Sequence, residues 1–271
     1  MKKLVWMAGA MLCAMMCFTA CSDDDDNNGG GNGDGAGDGG SGVEVEVRKL
    51  VRVEEQGEGE SVKDITLFEY DSEGRLSKIT ETDDAGGDEI VREVTYSDGR
   101  VTVAGKHSED VYVLNGEGDV ESLTYEGEDW REVYAYSYLD GYLSRMTFAY
   151  YEYVDGEWVK EEPEEVTEYV VADSNLSKCV SRYGSMESER TVEASSTLNN
   201  MNIDYLYAQW LGNGDEFLLC IAGKRYRNLP ASITIGGNVM TFEYEVDGDG
   251  YVTEVVGKNG SQIYTYRFYY K

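Results

Sequence analysis

The residues in this sequence that are able to do acid–base or metal chemistry are mostly carboxylates, with 53 Asp and Glu among 271 residues. A glycosidase needs two facing carboxylates at a set separation, one of them with a raised pKa. The candidate acids that lie close together in the sequence are Asp83, Asp84, Glu161, Glu162, Glu164, Glu165, Glu187 and Glu189. Because acidic residues are so frequent, we interpret these runs as solvated faces and keep a glycan-cleaving enzyme as the alternative.

Two further motifs contain parts of a functional site but not all of it. His107, the single histidine, lies in a polar stretch without a nucleophile motif beside it. The run 247–250, Asp-Gly-Asp-Gly, is similar to the start of a calcium loop, but the later acid falls too early, at Glu254. A hairpin turn is the favoured interpretation of this run. The sequence therefore predicts no catalytic residue, no metal ligand and no cofactor.

The first 21 residues have the pattern of a lipoprotein signal. Lys2 and Lys3 precede the apolar run 4–16, and the segment ends Phe-Thr-Ala-Cys at Cys21. Small residues before a Cys resemble a bacterial lipobox, in which the Cys is lipidated and the chain is cleaved before it. We predict a signal peptide over residues 1–20 and lipidation of Cys21.

Residues 21–42 are predicted to be a disordered tether behind the lipidated Cys21. Positions 22–42 contain nine Gly and six Asp and no apolar residue larger than Ala36, so they cannot form a core. The acid run Asp23–Asp26 resembles an export signal that sends some lipoproteins to the outer face of the outer membrane. We therefore predict a surface-exposed outer-membrane lipoprotein, with a solvated spacer on a periplasm-facing lipoprotein as the alternative.

The charge balance of the chain excludes some partners. With 23 Lys and Arg against 53 Asp and Glu, the formal net charge is −30, which disfavours nucleic acid. No later apolar run is long enough for a transmembrane helix, so membrane contact is predicted only through the lipid on Cys21. After lipidation, Cys179 and Cys220 remain, either as one disulfide or as two free or buried thiols; we favour thiols.

Residues 43–271 are predicted to form a single β-rich domain. A strand with aromatics, a turn with Gly and a second strand recur, with turn glycines at 74, 99, 118 and 141, spaced 19 to 25 residues apart. Gly, Asn and Asp tolerate the positive φ of hairpin turns, while Tyr, Val and Thr favour strands. We predict a large antiparallel meander of about a dozen or more strands, strongly curved or partly closed like a barrel.

One amphipathic helix is predicted near residues 203–211. Its apolar positions fall at helical spacing on one face and are Ile203, Leu206, Tyr207, Trp210 and Leu211. Elsewhere, aromatics alternate along strands, and the rows are Tyr134, Tyr136 and Tyr138; Phe148 and Tyr150; Tyr264, Tyr266, Phe268 and Tyr270. These rows are interpreted as core, with stacking on sugar rings or a protein partner as the alternative.

Two resemblances support this architecture. The run Tyr70-Asp-Ser-Glu-Gly-Arg-Leu76 is similar to the tyrosine-aspartate (YD) repeats of bacterial shell-forming proteins. The C-terminal third, with runs at 199–204, 226–230 and 242–252, resembles a bacterial lipoprotein family of unknown function that is described as having a porin-like fold. This resemblance covers residues 43–271 and implies a barrel-like sheet, but no activity. Charges on both faces of candidate strands, such as 63–69, disfavour a barrel embedded in lipid.

From these features, we predict a surface-anchored lipoprotein that is a non-catalytic binding module. Its partners are a glycan or a protein, in addition to the membrane through Cys21. The negative charge disfavours acidic polysaccharides and fits neutral glycans or basic patches on proteins better. A glycan-cleaving enzyme and a purely structural surface protein are the alternatives.

Overall fold

The structure is a computed structural model that describes residues 48–106, 109–203, 205–207 and 223–271. All seventeen strands in these ranges belong to one antiparallel sheet. They are β1 Leu50–Gly57, β2 Asp64–Tyr70, β3 Leu76–Asp83, β4 Ile90–Ser97, β5 Arg100–Ala104, β6 Glu109–Leu114, β7 Val120–Glu126, β8 Trp130–Leu139, β9 Tyr142–Val154, β10 Glu157–Lys160, β11 Glu165–Ala172, β12 Asn175–Tyr183, β13 Met186–Leu198, β14 Asn228–Ile235, β15 Asn238–Val246, β16 Val252–Asn259 and β17 Gln262–Tyr270.

The sheet closes into a barrel. Each strand pairs with the next along the chain, except that β11 pairs with β9, and β10 pairs only with the end of β9. The last strand, β17, pairs with β1 over Leu50–Gly57. The sixteen strands other than β10 therefore form a complete ring. The prediction of a mainly β, barrel-like meander is confirmed, and closure removes the free edges of the ring.

The alternating strand directions define two ends of the barrel. At the proximal end, the chain enters at Lys49 and leaves at Lys271, and the backbones of these residues exchange hydrogen bonds of 3.0 and 2.9 Å. The hairpin turns at 71–74, 98–99, 115–118, 140–141 and 247–250 lie at this end. The turns at 58–63, 84–89, 127–129, 184–185 and 260–261 lie at the opposite, distal end. The predicted tether precedes Leu50 and lies outside the described residues.

Three proximal turns share one local sequence rule. Asp71, Asn115 and Asp247 each accept, through the side-chain oxygen, the amides two and four residues later. Each turn also has a glycine with positive φ three residues after this acceptor, and glycine adopts that conformation without a side-chain clash. The hairpin interpretation of run 247–250 is therefore confirmed.

The inward faces of the strands form the core in the proximal half and the middle of the barrel. Buried side chains there include Leu76, Ile79, Tyr112, Leu123 and Leu143. The aromatic rows belong mostly to this core: Tyr134, Tyr136, Tyr266 and Phe268 are buried, and Tyr138, Phe148, Tyr264 and Tyr270 are packed against it. The interpretation of these rows as core is thus confirmed for all of them except Tyr150, which is half-buried.

One tyrosine before the turn has a structural role in four of the hairpin repeats. The hydroxyls of Tyr70, Tyr96, Tyr138 and Tyr244 donate to the backbone carbonyls of Leu50, Leu76, Val120 and Pro230, at 2.6, 2.9, 2.7 and 2.5 Å. These tyrosines lie at or within two residues of the proximal ends of strands β2, β4, β8 and β15. A buried Tyr hydroxyl is more favourable with a hydrogen-bond partner, and the carbonyl supplies one here.

Candidate binding surfaces at the distal end

The described residues that follow β13 fill the proximal end of the barrel. Met201, Ile203, Leu206 and Tyr207 are fully buried in the barrel core. Residues 205–207 are helical, as the sequence predicts, whereas Trp210 and Leu211 of the predicted helix lie outside the described residues. These described residues therefore act as a plug of the proximal end, and we call 199–203 together with 205–207 the plug segment.

A buried hydrogen-bond network joins the plug segment to the barrel wall. Asn202 is 2 % exposed; its side-chain oxygen accepts the amide of Leu50 at 2.7 Å, and its side-chain nitrogen donates to the Tyr70 hydroxyl at 2.9 Å. An irregularity in the β1–β17 register lies between Leu50 and Arg52. Asn202 satisfies the buried Leu50 amide at this irregularity and so fixes the plug segment in position.

The inward faces of β1, β2 and β3 become acidic toward the distal end. Glu55 lies directly opposite Asp64, and Asp64 lies directly opposite Asp83, so three carboxylates form one row across three strands. Directly opposed residues have Cβ atoms about 4.5–5.5 Å apart, and like charges in this arrangement are unfavourable. Glu81 lies on the same face of β3, opposite Thr66. We call Glu55, Asp64, Glu81 and Asp83 the carboxylate ladder.

The pKa values of three ladder carboxyls are raised, mainly for one reason. Burial raises the pKa of Glu55, and the charges of Asp64 and Glu60 raise it further. Burial also raises the pKa of Asp64, with added repulsion from Glu60, Asp83 and Asp84. The pKa of Glu81 is likewise raised by burial, although Arg92 acts against it. The ladder therefore favours protonation, or a cation, more than an isolated carboxylate does.

Two partners hold the ladder in place. The Tyr266 hydroxyl donates to Glu55 at 2.9 Å, and the Arg92 guanidinium lies 3.0 Å from a Glu81 oxygen. Tyr205 of the plug segment packs edge-on against Tyr266, with ring centroids 6.2 Å apart. Through this contact, Tyr205 connects the plug segment to Tyr266, which in turn binds Glu55 of the ladder.

The resolved pKa shifts of the ladder carboxyls all have the same direction. A glycosidase separates the pKa values of its two carboxyls, whereas the resolved shifts in the ladder all point upward. Among the described residues, no group of three or more His, Cys, Asp or Glu side chains is placed to hold a metal ion. The ladder is thus suited to hold a proton or a positively charged group.

The acids named from the sequence do not converge on one site. Asp83 belongs to the ladder, but Asp84 lies in the next turn, where its side chain accepts the Lys63 amide at 2.9 Å. Glu187 and Glu189 lie on the outer face of β13, paired with Arg182 and Lys178. Glu161, Glu162 and Glu164 lie between β10 and β11, and Glu165 begins β11. His107 lies outside the described residues.

A second surface feature extends the barrel wall at the distal end. Beyond Phe148, strand β9 no longer pairs with β11 and instead pairs with β10 through residues 151–154. Since Phe148 packs on the core, Tyr151 and Tyr153 lie on the outer face. Arg131 and Lys160 oppose Tyr151, and Trp158 opposes Tyr153 on this face. We call Arg131, Tyr151, Tyr153, Trp158 and Lys160 the hairpin face.

The rings of the hairpin face are in contact but remain accessible. The rings of Tyr153 and Trp158 have centroids 5.0 Å apart and are tilted by 57°. The Arg131 guanidinium lies 4.4 Å from the Trp158 ring centroid, and it also pairs with Glu126 at 2.6 Å. Tyr153 keeps 48 % of its surface exposed. The sequence analysis did not predict the hairpin face, because the hairpin around Asp155 and Gly156 was not recognised among the repeats.

The outer face of the barrel carries many ion pairs. The pairs are Glu69 with Lys78, Glu126 with Arg131, Glu168 and Glu187 with Arg182, Glu189 with Lys178, Glu243 with Lys258, and Glu254 with Arg267. They lie on strands distributed around the ring, from β2 to β17. Within the described ranges, no helix has the length and apolarity needed to cross a membrane.

The predictions about the cysteines and the N-terminal segment fall partly or wholly on residues that the structure does not describe. Cys179 is buried on the inner face of β12, but Cys220 lies outside the described residues, so a disulfide between them stays untested. The signal peptide 1–20, lipidation of Cys21 and the tether 21–42 also lie outside the described part of the chain.

The closed ring of sixteen antiparallel strands and the plugged interior define a porin-like barrel. Among solved structures, the chain is similar to a porin-like protein from Bacteroides uniformis, with a TM-score of 0.64 and 18 % identity. The match covers 82 % of this chain and 98 % of that chain. At this identity the likeness shows the fold alone. No family model and no curated protein matches the chain.

Proposed function

We propose that the chain is a surface lipoprotein of the outer membrane and a non-catalytic binding module whose distal end binds the ligand. The observation that carries this proposal is the difference between the two ends of the barrel. The proximal end, where the chain enters at Lys49, is filled by the plug segment. The distal end carries the carboxylate ladder, of which Asp64 is exposed and the other members are half-buried, and the accessible hairpin face.

The orientation follows from the position of the chain entry. A lipid on Cys21 attaches to the proximal end through residues 22–48, so the distal end is free to point away from the membrane. The tether that the sequence predicts over residues 22–42 has, as a coil, a root-mean-square reach of about 25 Å. The distal surfaces are therefore held off the membrane and are accessible to large ligands.

The ion pairs on the outer face support a barrel that lies in water rather than in lipid. A transmembrane barrel presents an apolar band to hydrocarbon, and charged side chains there are unfavourable. The pairs Glu69–Lys78 and Glu254–Arg267 lie on opposite sides of β1 in the ring. A porin-like fold is compatible with an outer-membrane location, and the lipid on Cys21 supplies the anchor.

The anchor is tested by mass spectrometry of the mature N-terminus. We expect a mature chain that starts at a lipidated Cys21, and the Cys21→Ala variant is expected to be released or to remain uncleaved. An unmodified N-terminus at any other residue contradicts the anchor.

The binding role is tested with ligands of three charge classes. The mature lipoprotein in detergent is mixed with neutral glycans, acidic glycans and oligolysine, and thermal shift and product analysis are recorded. We expect a shift with a neutral or cationic ligand and no products. Released oligosaccharides support the glycan-cleaving alternative, and the absence of any shift supports a purely structural role.

A further inference from the structure

We propose that the hairpin face formed by Arg131, Tyr151, Tyr153, Trp158 and Lys160 is a stacking surface for neutral polysaccharides. This inference rests on the proposed binding function and names a ligand class and a location for it. The site is distinct from the carboxylate ladder, because it lies on the outer face of the extension that β8, β9 and β10 form.

The first argument is the position of the rings. Strand β10 pairs only with β9, and the ring of the barrel closes without it. Rings on the outer face of this extension therefore contribute little to the barrel core. Trp158 and Tyr151 are half-buried, and Tyr153 is 48 % exposed, so the three aromatics form one contiguous accessible patch, as interaction sites do.

The second argument is the geometry of the rings. Tyr153 and Trp158 are tilted by 57° at 5.0 Å, so they do not stack face to face, and the Arg131 guanidinium lies over the Trp158 ring at 4.4 Å. Tyr151 lies two residues before Tyr153 on the same strand face, about 6.6–6.8 Å away along the strand. The rings thus follow the strand as a row, which suits a chain of sugar rings better than a single small ligand.

The third argument is the charge of the surface. Arg131 pairs with Glu126 at 2.6 Å, and Lys160 lies 3.4 Å from Glu164 and 3.7 Å from Glu162. The cations of the hairpin face are therefore compensated by carboxylates, and a charged ligand gains little from them. Hydroxyl groups, in contrast, find fixed hydrogen-bond donors and acceptors beside the rings. An anionic polymer is further repelled by the net charge of −30.

The experiment measures binding of the mature lipoprotein in detergent to insoluble neutral glucan, mannan and xylan by depletion from solution. We expect binding to at least one of them, weakened at least tenfold in the double variant Tyr153→Ala/Trp158→Ala. Aromatic stacking on nucleobases, a comparable interaction, supports an effect of this size. The variant Trp158→Phe, which retains an aromatic ring, is expected to stay within threefold of the unaltered protein.

Tyr269→Ala is the matched control. Tyr269 lies on the outer face of β17, is 41 % exposed, and has the Arg52 guanidinium 5.7 Å from its ring centroid. Its removal is expected to change binding less than twofold. Tyr153→Leu, which preserves an apolar strand residue, replaces the alanine double variant if that variant is less stable, and it too is expected to weaken binding.

The possible outcomes separate this inference from the proposed function. Neutral-glycan binding that is unchanged in Tyr153→Ala/Trp158→Ala overturns the inference but leaves the binding function intact. Binding of oligolysine or of a peptide without any neutral-glycan binding does the same and directs attention to the carboxylate ladder. If no ligand of any class binds, both the inference and the proposed function are wrong.

Discussion

The proximal and distal halves of the barrel use the same strands for opposite purposes. Along the inner face of β3, Leu76 and Ile79 are fully buried, whereas Glu81 and Asp83, farther along the same face, belong to the carboxylate ladder. Strand β1 changes in the same way, from Leu50 and Val53 to Glu55. The strand alternation determines which side chains face inward, and it continues along both strands. The change from apolar to acidic residues on that inward face is a separate feature, and it determines which half has an apolar core.

The difference shows where the stability of the fold resides. The proximal half combines buried apolar side chains with hydrogen bonds from tyrosine hydroxyls and from Asn202. The distal half places like charges opposite each other at Asp64 and Asp83, which costs stability. Proteins commonly retain such unfavourable groups where they serve a function, which is consistent with a distal binding end.

The largest expected effect comes from the core of the proximal half. Tyr136 is 5 % exposed and packed in the core, so Tyr136→Ala is expected to reduce the free energy of unfolding by about 3–5 kcal/mol. Tyr153→Ala, on the exposed hairpin face, is expected to change it by less than about 0.5 kcal/mol. Urea unfolding followed by circular dichroism compares the two. Equal losses would show that both rings are core.

The next effect breaks the connection between the plug segment and the wall. Asn202→Ala leaves the buried Leu50 amide without its acceptor and removes a donor to Tyr70, so we expect a loss of about 2–3 kcal/mol. Asn238→Ala is the matched control, because Asn238 is exposed at the distal end of β15 and is expected to be neutral. Unfolding in urea measures both variants. A neutral Asn202→Ala would mean that the plug segment does not depend on this network.

The fold was more accessible to sequence reasoning than the distal surfaces were. Turn glycines and alternating aromatics predicted the hairpins, because these signals are local. Closure was left open, since it depends on pairing of β1 with β17, about 200 residues apart, and no local pattern specifies it. The helical conformation of residues 205–207 was predicted from the apolar spacing, but the network of Asn202 with Leu50 and Tyr70 depends on the closed ring.

The carboxylate ladder could not be found by looking for adjacent acids. Neighbouring residues on a strand point to opposite faces, so pairs such as Asp83 and Asp84 do not share a site. Glu55, Asp64 and Asp83 meet because of the register of β1, β2 and β3, which the sequence does not specify. A signal for the hairpin face was present, since Asp155 and Gly156 are a turn pair between two aromatic stretches.

A smaller effect of opposite sign is expected in the carboxylate ladder. Asp64→Asn removes a charge that faces both Glu55 and Asp83, so we expect the free energy of unfolding to rise by about 0.5–1 kcal/mol at neutral pH. The gain is expected to shrink at high salt, which screens partly exposed charges. Urea unfolding at low and high salt measures it. A destabilised Asp64→Asn would show that this carboxylate makes a favourable contact in the folded protein.

The smallest effect is the pH dependence that distinguishes the two ends. The raised pKa values of Glu55, Asp64 and Glu81 mean that the folded state holds more protons than the unfolded state above the ordinary values of 4.5 and 3.8. Stability is therefore expected to rise as pH falls from neutral toward about 4.5, and this contribution stays constant at lower pH, where the unfolded chain is protonated as well. In the proximal turns, hydrogen bonds and ion pairs with Arg75 and Arg48 lower the pKa values of Asp71 and Asp247, so their contribution is present above 3.8 and lost below it.

The difference in the free energy of unfolding between Asp64→Asn and the unaltered protein isolates the contribution of the distal end to this pH dependence. Relief of the overall negative charge also stabilises the folded state on acidification, but it is nearly the same in both proteins. We expect the stability advantage of Asp64→Asn to decrease steadily between neutral pH and about 4 and to vanish below it, because Asp64 is then protonated in the unaltered protein as well. Chemical unfolding at several pH values measures this difference. An advantage that does not vary with pH would mean that the charge of Asp64 is not its cause.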